Sequence, residues 1–476
     1  MTLVAGIDSS TQSCKVEVRD LRTGRLVREG RAAHPPQKII HPDEWWQALL
    51  LAVDRAGGLH DVSALSVSGQ QHTPVFLDDD GAVVRDSPLW NDTGSHPQVV
   101  ALNREIGFDE WIRRTGLPIT LSDTVVKLRW LRDTDPASAR RTAAVAVVHD
   151  WLTWRLMGFG PGRAGFDHLV TDRSEASGTG YWSGETGDYC PDLVVHALGR
   201  SVRLPRVLGP LDRAGVTADG IPGIPPGLVI GAGSGDNAAA ALALQLRVGD
   251  AVMSLGTSGV VYSRSAKPVH DYSGVVCGYA DATGDHLPLA ATLNAARDLD
   301  AGINLLGCTY GELSTLALEA APGAGGLTLL PYFEGERTPD LPQATASLHG
   351  ATLTNFTRPN FARAVIEGML ASQVVMIEAA RACGVPIDRL LLIGGAARSP
   401  AVQRILTQII DVPLLLPEPG EYVSIGAAVQ AGGALTGTFP DWSPTVRDVP
   451  GARTEDLIMS QHRAARAALS YDTALA

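Results

Sequence analysis

The sharpest chemical signal in this sequence is a lone acid behind a cluster of glycines. In Leu228-Val229-Ile230-Gly231-Ala232-Gly233-Ser234-Gly235-Asp236-Asn237 an apolar run gives way to small residues, and an Asp then opens an Ala-rich helix. An Asp at a helix start is an ordinary cap, which accounts for it about as well as any function does. A cap does not require Gly231, Gly233 and Gly235, however, and glycines there let a substrate or a second backbone come close. A carboxylate held in such a turn can take the proton of an alcohol while that oxygen attacks a phosphoryl group. Asp8 is a second candidate. It follows an apolar strand and precedes Ser9-Ser10-Thr11-Gln12-Ser13, so it reads either as a turn residue or as a carboxylate ligand for Mg²⁺. Leu255-Gly256-Thr257-Ser258-Gly259 repeats that hydroxyl turn in the second half, and turns of this kind offer backbone amides and hydroxyls to an anion. Gly394-Gly395-Ala396-Ala397-Arg398-Ser399 is a strand-to-helix turn that could take a flat ring, or simply a tight connection.

These turns need strands and helices to hold them. The first 35 residues read as a three-strand meander, Leu3 to Ile7, Lys15 to Arg19 and Leu26 to Ala33. Pro42-Asp43 opens an amphipathic helix with Trp45, Trp46, Leu49, Leu50 and Val53 on one face, and Gly57-Gly58 stops it. Leu65 to Val67 is a buried strand leading into Ser68-Gly69-Gln70-Gln71-His72, followed by a hairpin turning at Asp78 to Gly81. In the second half Ala251 to Leu255 is a strand, Asn360 to Cys383 a long helix, Leu390 to Ile393 a strand, and Ser424 to Leu435 a small-residue helix. Meanders and crossovers in each half make this an α/β sequence. The hydroxyl turn near the start of each half suggests two related lobes dividing near 247/248, with a tail beyond 440 packing on them.

Composition narrows the partners. The 476 residues suit two or three domains, and 45% hydrophobic with 19% charged residues excludes disorder. A formal charge of -12 without a basic patch argues against nucleic acid, and no apolar run approaches a membrane span. Met1 to Asp8 reads straight into a strand, without the basic region of a secretory signal. Five cysteines, Cys14, Cys190, Cys277, Cys308 and Cys383, are scattered and never spaced C-x-x-C, so a reducing cytoplasm is expected and a zinc site is not. There is no Walker A sequence, and the Gly231 to Gly235 run lacks the third glycine of a dinucleotide fingerprint.

Taken in order, the motifs resemble the carbohydrate kinases of the FGGY type, most closely the xylulokinases, from about residue 3 to about residue 435. Gly6-Ile7-Asp8-Ser9-Ser10-Thr11 looks like the first phosphate loop, His41-Pro42-Asp43-Glu44-Trp45-Trp46 the acidic double-Trp helix start, and Gln70-Gln71-His72 with Trp90-Asn91-Asp92 the sugar-binding region. Ser122 to Asp133 and Ala346 to Glu367 are similar to the two long family signatures. The resemblance implies two ribonuclease-H-like lobes of the actin and hexokinase type, with ATP and sugar in an interdomain cleft. It makes Asp236 the general base and gives Asp8 a link to Mg²⁺, direct or through water. Gln71, His72, Asp236 and Asn237 would meet the sugar. Asp8, Thr11, Gln12, Gly256, Thr257, Gly394, Gly395, Ala396 and Ser399 would meet ATP. The implied reaction is phosphorylation of a ketopentose, D-xylulose foremost, with other sugars or polyols and a catalytically silent sensor as rivals; a homodimer remains open. Five positions depart from the pattern: Thr73-Pro74 where Gly and an apolar pair are usual, Gly94 where Arg is usual, Ser10 for Gly, and Ala351 for a branched aliphatic.

Overall fold

Leu3–Ser9, Ser13–Asp20 and Leu26–Ala33 form an antiparallel meander, in which Asp8 lies opposite Lys15. The computed structural model describes residues 1–451 and 454–469. The helix Asp43–Arg55 then crosses over, burying Trp45, Trp46, Leu49 and Val53, and packs so tightly on the third strand that a Cβ at Gly30 would lie 2.0 Å from the Ala52 carbonyl. The crossover returns the chain as Val62–Gly69, parallel to the first strand. Much later Val229–Gly231 joins beside it, also parallel, and Ser234–Gly235 pairs with its last two residues. The carboxyl ends of three parallel strands therefore lie side by side, the place where open α/β sheets bind ligands. Those ends carry Asp8, Gln70-Gln71-His72 and Asp236.

The other face of this sheet is covered from far along the chain. The helix Tyr422–Thr436 is built of small residues, and its contact with the sheet is backbone-close. A Cβ at Gly6 would stand 1.9 Å from the Ser424 carbonyl, and one at Gly426 would stand 1.9 Å from the Ala239 carbonyl. Residues 1–246, 266–287 and 420–444 accordingly form one compact unit, and 247–265, 288–419 and the chain from 445 on form the other. The first unit is thus discontinuous along the chain, because its sheet needs that returning helix to close its core.

The second unit repeats the opening device. Gly249–Leu255 pairs antiparallel with Gly259–Ser263 and parallel with Ile387–Ile393, which is followed by the parallel Leu414–Pro417. The 25-residue helix Arg358–Ala382 is buried on nearly every side, which explains why its apolar pattern is broad. Of the tail expected to pack on the lobes, Trp442 donates its indole to the Leu21 carbonyl at 3.0 Å in the first unit. Val446–Val449 adds an antiparallel strand to Leu414–Pro417 in the second. Residues 452–453 and 470–476 lie outside the described residues. The hairpin expected at Asp78 to Gly81 is a turn without a second strand. Pro74–Leu77 pairs with Ala144–Val147 instead, and only the single bridge Leu77 to Val83 marks the turn.

Candidate active site

In the first unit, burial and neighbouring acids dominate the electrostatics at the strand ends. Asp8 is almost fully buried, and its carboxyl accepts the Ser10 hydroxyl. Burial, with the charges of Asp236 and Glu421 nearby, pushes it up to about 7, although the Ser10 bond and Lys15 oppose the rise. Lys15 itself pairs with Glu421 at 2.7 Å. Asp236 begins the helix Asp236–Ala243, whose cap position is Gly235, so its carboxylate is not the helix cap. Its Oδ1 accepts the Asn237 amide at 2.7 Å and Asn237 Nδ2 at 2.9 Å, and burial pushes it up to about 6. An acid poised there is charged at neutral pH yet basic enough to take a proton.

The glycine cluster turns out to receive side chains. A Cβ at Gly235 would lie 2.7 Å from the Gln71 side chain, and one at Gly233, where φ is +88°, would lie 2.6 Å from His149 Nδ1. Gln71 is thus laid directly against the residue before Asp236, with its Nε2 donating to the Ser174 carbonyl at 3.1 Å. His72 has φ +73°, an unusual backbone for a non-glycine residue, and Thr124 Oγ1 fixes its carbonyl at 2.8 Å. His72 Nδ1 lies 2.6 Å from the Gly178 carbonyl and 3.5 Å from Asp123 Oδ1, beside the Tyr279 ring. A carbonyl only accepts, so Nδ1 carries the proton.

The remaining first-unit candidates have defined places. Thr11 Oγ1 accepts the Trp90 indole N–H at 2.9 Å, tying the first hydroxyl turn to the Trp90-Asn91-Asp92 loop, and Gln12 is exposed. Thr73, one of the departures, is fully buried and accepts the Trp90 amide at 3.0 Å, so it secures that same loop. Near the departure at Gly94, Lys127 is fully buried and donates to the Asp92 carbonyl and to Ser95 Oγ, each at 2.8 Å. Burial lowers it to about 8. A cation is present by the Trp90 loop after all, contributed by the helix Thr124–Thr134.

In the second unit the two turns adjoin. Gly394 has φ +95°, and a Cβ there would meet the Leu255 carbonyl at 2.5 Å. Gly256, Thr257, Gly394 and Gly395 are all exposed, and a Cβ at Gly395 would meet nothing within 4 Å. Open space beside exposed backbone is what a nucleotide segment requires. Ala396 is buried, and Ser399 Oγ caps the helix Pro400–Ile409 by accepting the Val402 amide at 3.4 Å.

Sequence reasoning gave Asp123 and Lys127 no role beyond their place in the signature-like stretch Ser122 to Asp133, and passed over Ser174, Tyr279 and Gln430. The last bonds both the amide and the carbonyl of Gly233, at 2.8 and 2.7 Å. Only the stretch Asp172-Arg173-Ser174-Glu175 carried a local signal, a capping pattern that reads as structural.

The FGGY family of carbohydrate kinases matches this chain through its N-terminal domain at residues 3–243 and its C-terminal domain at 251–435. A xylulose kinase of Streptomyces rubiginosus is 41% identical over 450 residues, covering 92% of this chain and 89% of that protein. The crystal structure of xylulose kinase from Bifidobacterium adolescentis superposes with a TM-score of 0.92 at 44% identity, covering 98% and 99% of the two chains. A Plasmodium falciparum glycerol kinase shares the fold at 18% identity and a TM-score of 0.86, covering 99% of each chain.

Proposed function

The chain belongs to the FGGY family of carbohydrate kinases, and we propose that within it this protein is a xylulose kinase, converting D-xylulose and ATP to D-xylulose 5-phosphate and ADP. The observation that carries this reading is the seating of Gln71 against the Gly235-Asp236 turn, with His72 next in the chain, in a protein 41% identical to a xylulose kinase over 92% of its length. An amide and an imidazole in successive residues suit neighbouring hydroxyls, and a hydrogen-bonding site rejects a sugar whose hydroxyls leave its groups unpaired.

In the proposed reaction, Asp236 takes the proton of the terminal sugar hydroxyl as that oxygen attacks the γ-phosphorus. The new O–P bond forms as the bond to the ADP oxygen breaks. Asn237 holds Asp236 Oδ1 from two sides, fixing the carboxylate's direction. Gln71 and His72 orient the sugar, and the Gly256-Thr257 and Gly394-Gly395 turns take the nucleotide. Asp8 fits a Mg²⁺ ion by chemistry: a buried carboxylate crowded by Asp236 and Glu421 gains from a nearby cation. Among the described residues no group of three or more His, Cys, Asp or Glu side chains is arranged to hold a metal ion by itself, and Mg²⁺ held by a single carboxylate with substrate phosphates needs no such group. When bound, the ion would neutralise charge on the phosphates. None of the five cysteines forms a disulfide, which suits the cytoplasm. Among the described residues no helix is long and apolar enough to cross a membrane.

The deciding measurement is kcat/KM for D-xylulose, D-ribulose, L-ribulose, gluconate and glycerol under saturating Mg-ATP. D-Xylulose should lead the panel. A tenfold advantage for any other member would overturn the xylulose assignment and leave only the sugar kinase.

A further inference from the structure

Asp236 rides on a turn without a side-chain cap of its own. The Gly235 amide donates instead to Ser174 Oγ at 2.9 Å, and that hydroxyl donates onward to Asp172 Oδ2 at 2.6 Å. Asp172 is fixed before the hydroxyl reaches it. Its oxygens accept the Ser174 amide at 2.8 Å and the Glu175 amide at 3.0 Å, and His149 Nε2 lies 3.3 Å away. The Ser174 proton therefore has one direction to point, which turns an Oγ lone pair toward Gly235. The same residue's main-chain carbonyl accepts Gln71 Nε2. Ser174 is fully buried, one residue facing the acid's turn with its side chain and the sugar loop with its backbone.

We propose that Ser174 is a positioning residue for phosphoryl transfer: its hydroxyl sets where Asp236 stands, while its carbonyl sets where Gln71 stands. The proposal rests on the reading of Asp236 as the base. Ser174 touches neither substrate, and its two tasks fall on different atoms, so a single substitution separates them. Ser174→Ala keeps the carbonyl and its hold on Gln71 but frees the Gly235 amide. A base displaced by about an ångström loses ~10- to 100-fold in rate. The expected result is a kcat lower by at least ~10-fold, with KM for D-xylulose and for Mg-ATP within about twofold of wild type.

Hydrogen exchange over residues 231–244 should rise in Ser174→Ala and stay unchanged elsewhere, since the Gly235 amide loses its acceptor. A kcat within about twofold of wild type, or a loss expressed as a raised sugar KM, would overturn the proposal. So would unaltered exchange at the turn. Should Ser174→Ala not accumulate as folded enzyme, Ser174→Cys carries the test, because a thiol keeps the shape with a weaker acceptor. Reduced kcat with the sugar KM held supports the assignment, and wild-type kcat defeats it. Asp236→Asn assayed alongside separates the two levels. A dead Asp236→Asn with an unimpaired Ser174→Ala overturns the Ser174 role alone, whereas an active Asp236→Asn overturns the base.

Discussion

Asp8 and Asp236 are each held above the ordinary carboxylate value of 3.8, at about 7 and about 6, and burial is the main cause in both. A base at about 6 predicts that kcat/KM falls on the acid side with an apparent pKa near 6 to 7, belonging to the coupled acids together. A pH profile flat down to about 5 would contradict it. Asp236→Asn should lose ~10²-fold or more in kcat at every pH, because an amide of the same shape accepts no proton. The raised values also carry a stability statement. A group whose folded pKa is raised contributes stability fully present below its unfolded value, and that contribution is lost as pH rises through the folded value. For Asp8 the window runs from about 4 to about 7, so at pH 8 the folded protein bears the whole cost of the buried charge. Asp8→Asn should therefore melt on the order of 5 °C above wild type at pH 8, with the gap narrowing toward pH 5. A variant that melts lower at pH 8 would show that Asp8 stabilises the fold it sits in.

Glycines at the strand ends act through what they admit. Gly235 has an extended backbone, φ −67°, that any residue can adopt, so its requirement lies in the Gln71 side chain packed upon it. Gly235→Ala should displace Gln71 and raise the KM for D-xylulose by roughly 10-fold while leaving the KM for Mg-ATP alone, measured by steady-state kinetics. An unchanged sugar KM would remove Gln71 from the sugar site. This is also where the limit of sequence reading shows. The strands, the crossover helix and the small-residue turns were legible because each writes its own periodicity into consecutive residues. So was the placement of Asp236 at a strand end, through its flanking glycines. Ser174, Gln430, Lys127 and Tyr279 were not, because each acts across more than 30 residues of chain on a backbone group or ring that carries no pattern. Thr73 was legible as a departure and opaque as to effect, since its partner is the amide of Trp90.

The first unit is assembled from three stretches of chain, and the last of them, residues 420–444, supplies the helix that lies within backbone contact of Gly6. Residues 1–247 expressed alone should therefore fail to unfold cooperatively in a thermal melt, since one face of their sheet stays bare. A sharp two-state melt from that fragment would show that the helix is dispensable. The same feature sets a timetable for synthesis. The ribosome finishes the first 246 residues long before it reaches Thr436, and at about 5–20 residues per second the interval is on the order of 10–40 s. For that time the nascent chain holds an uncovered sheet face, a natural client for chaperones. A transcript broken anywhere before codon 436 yields no half-built lobe with a working acid, only protein fit for degradation. Late arrival of one small-residue helix thus makes activity conditional on translation running past Thr436.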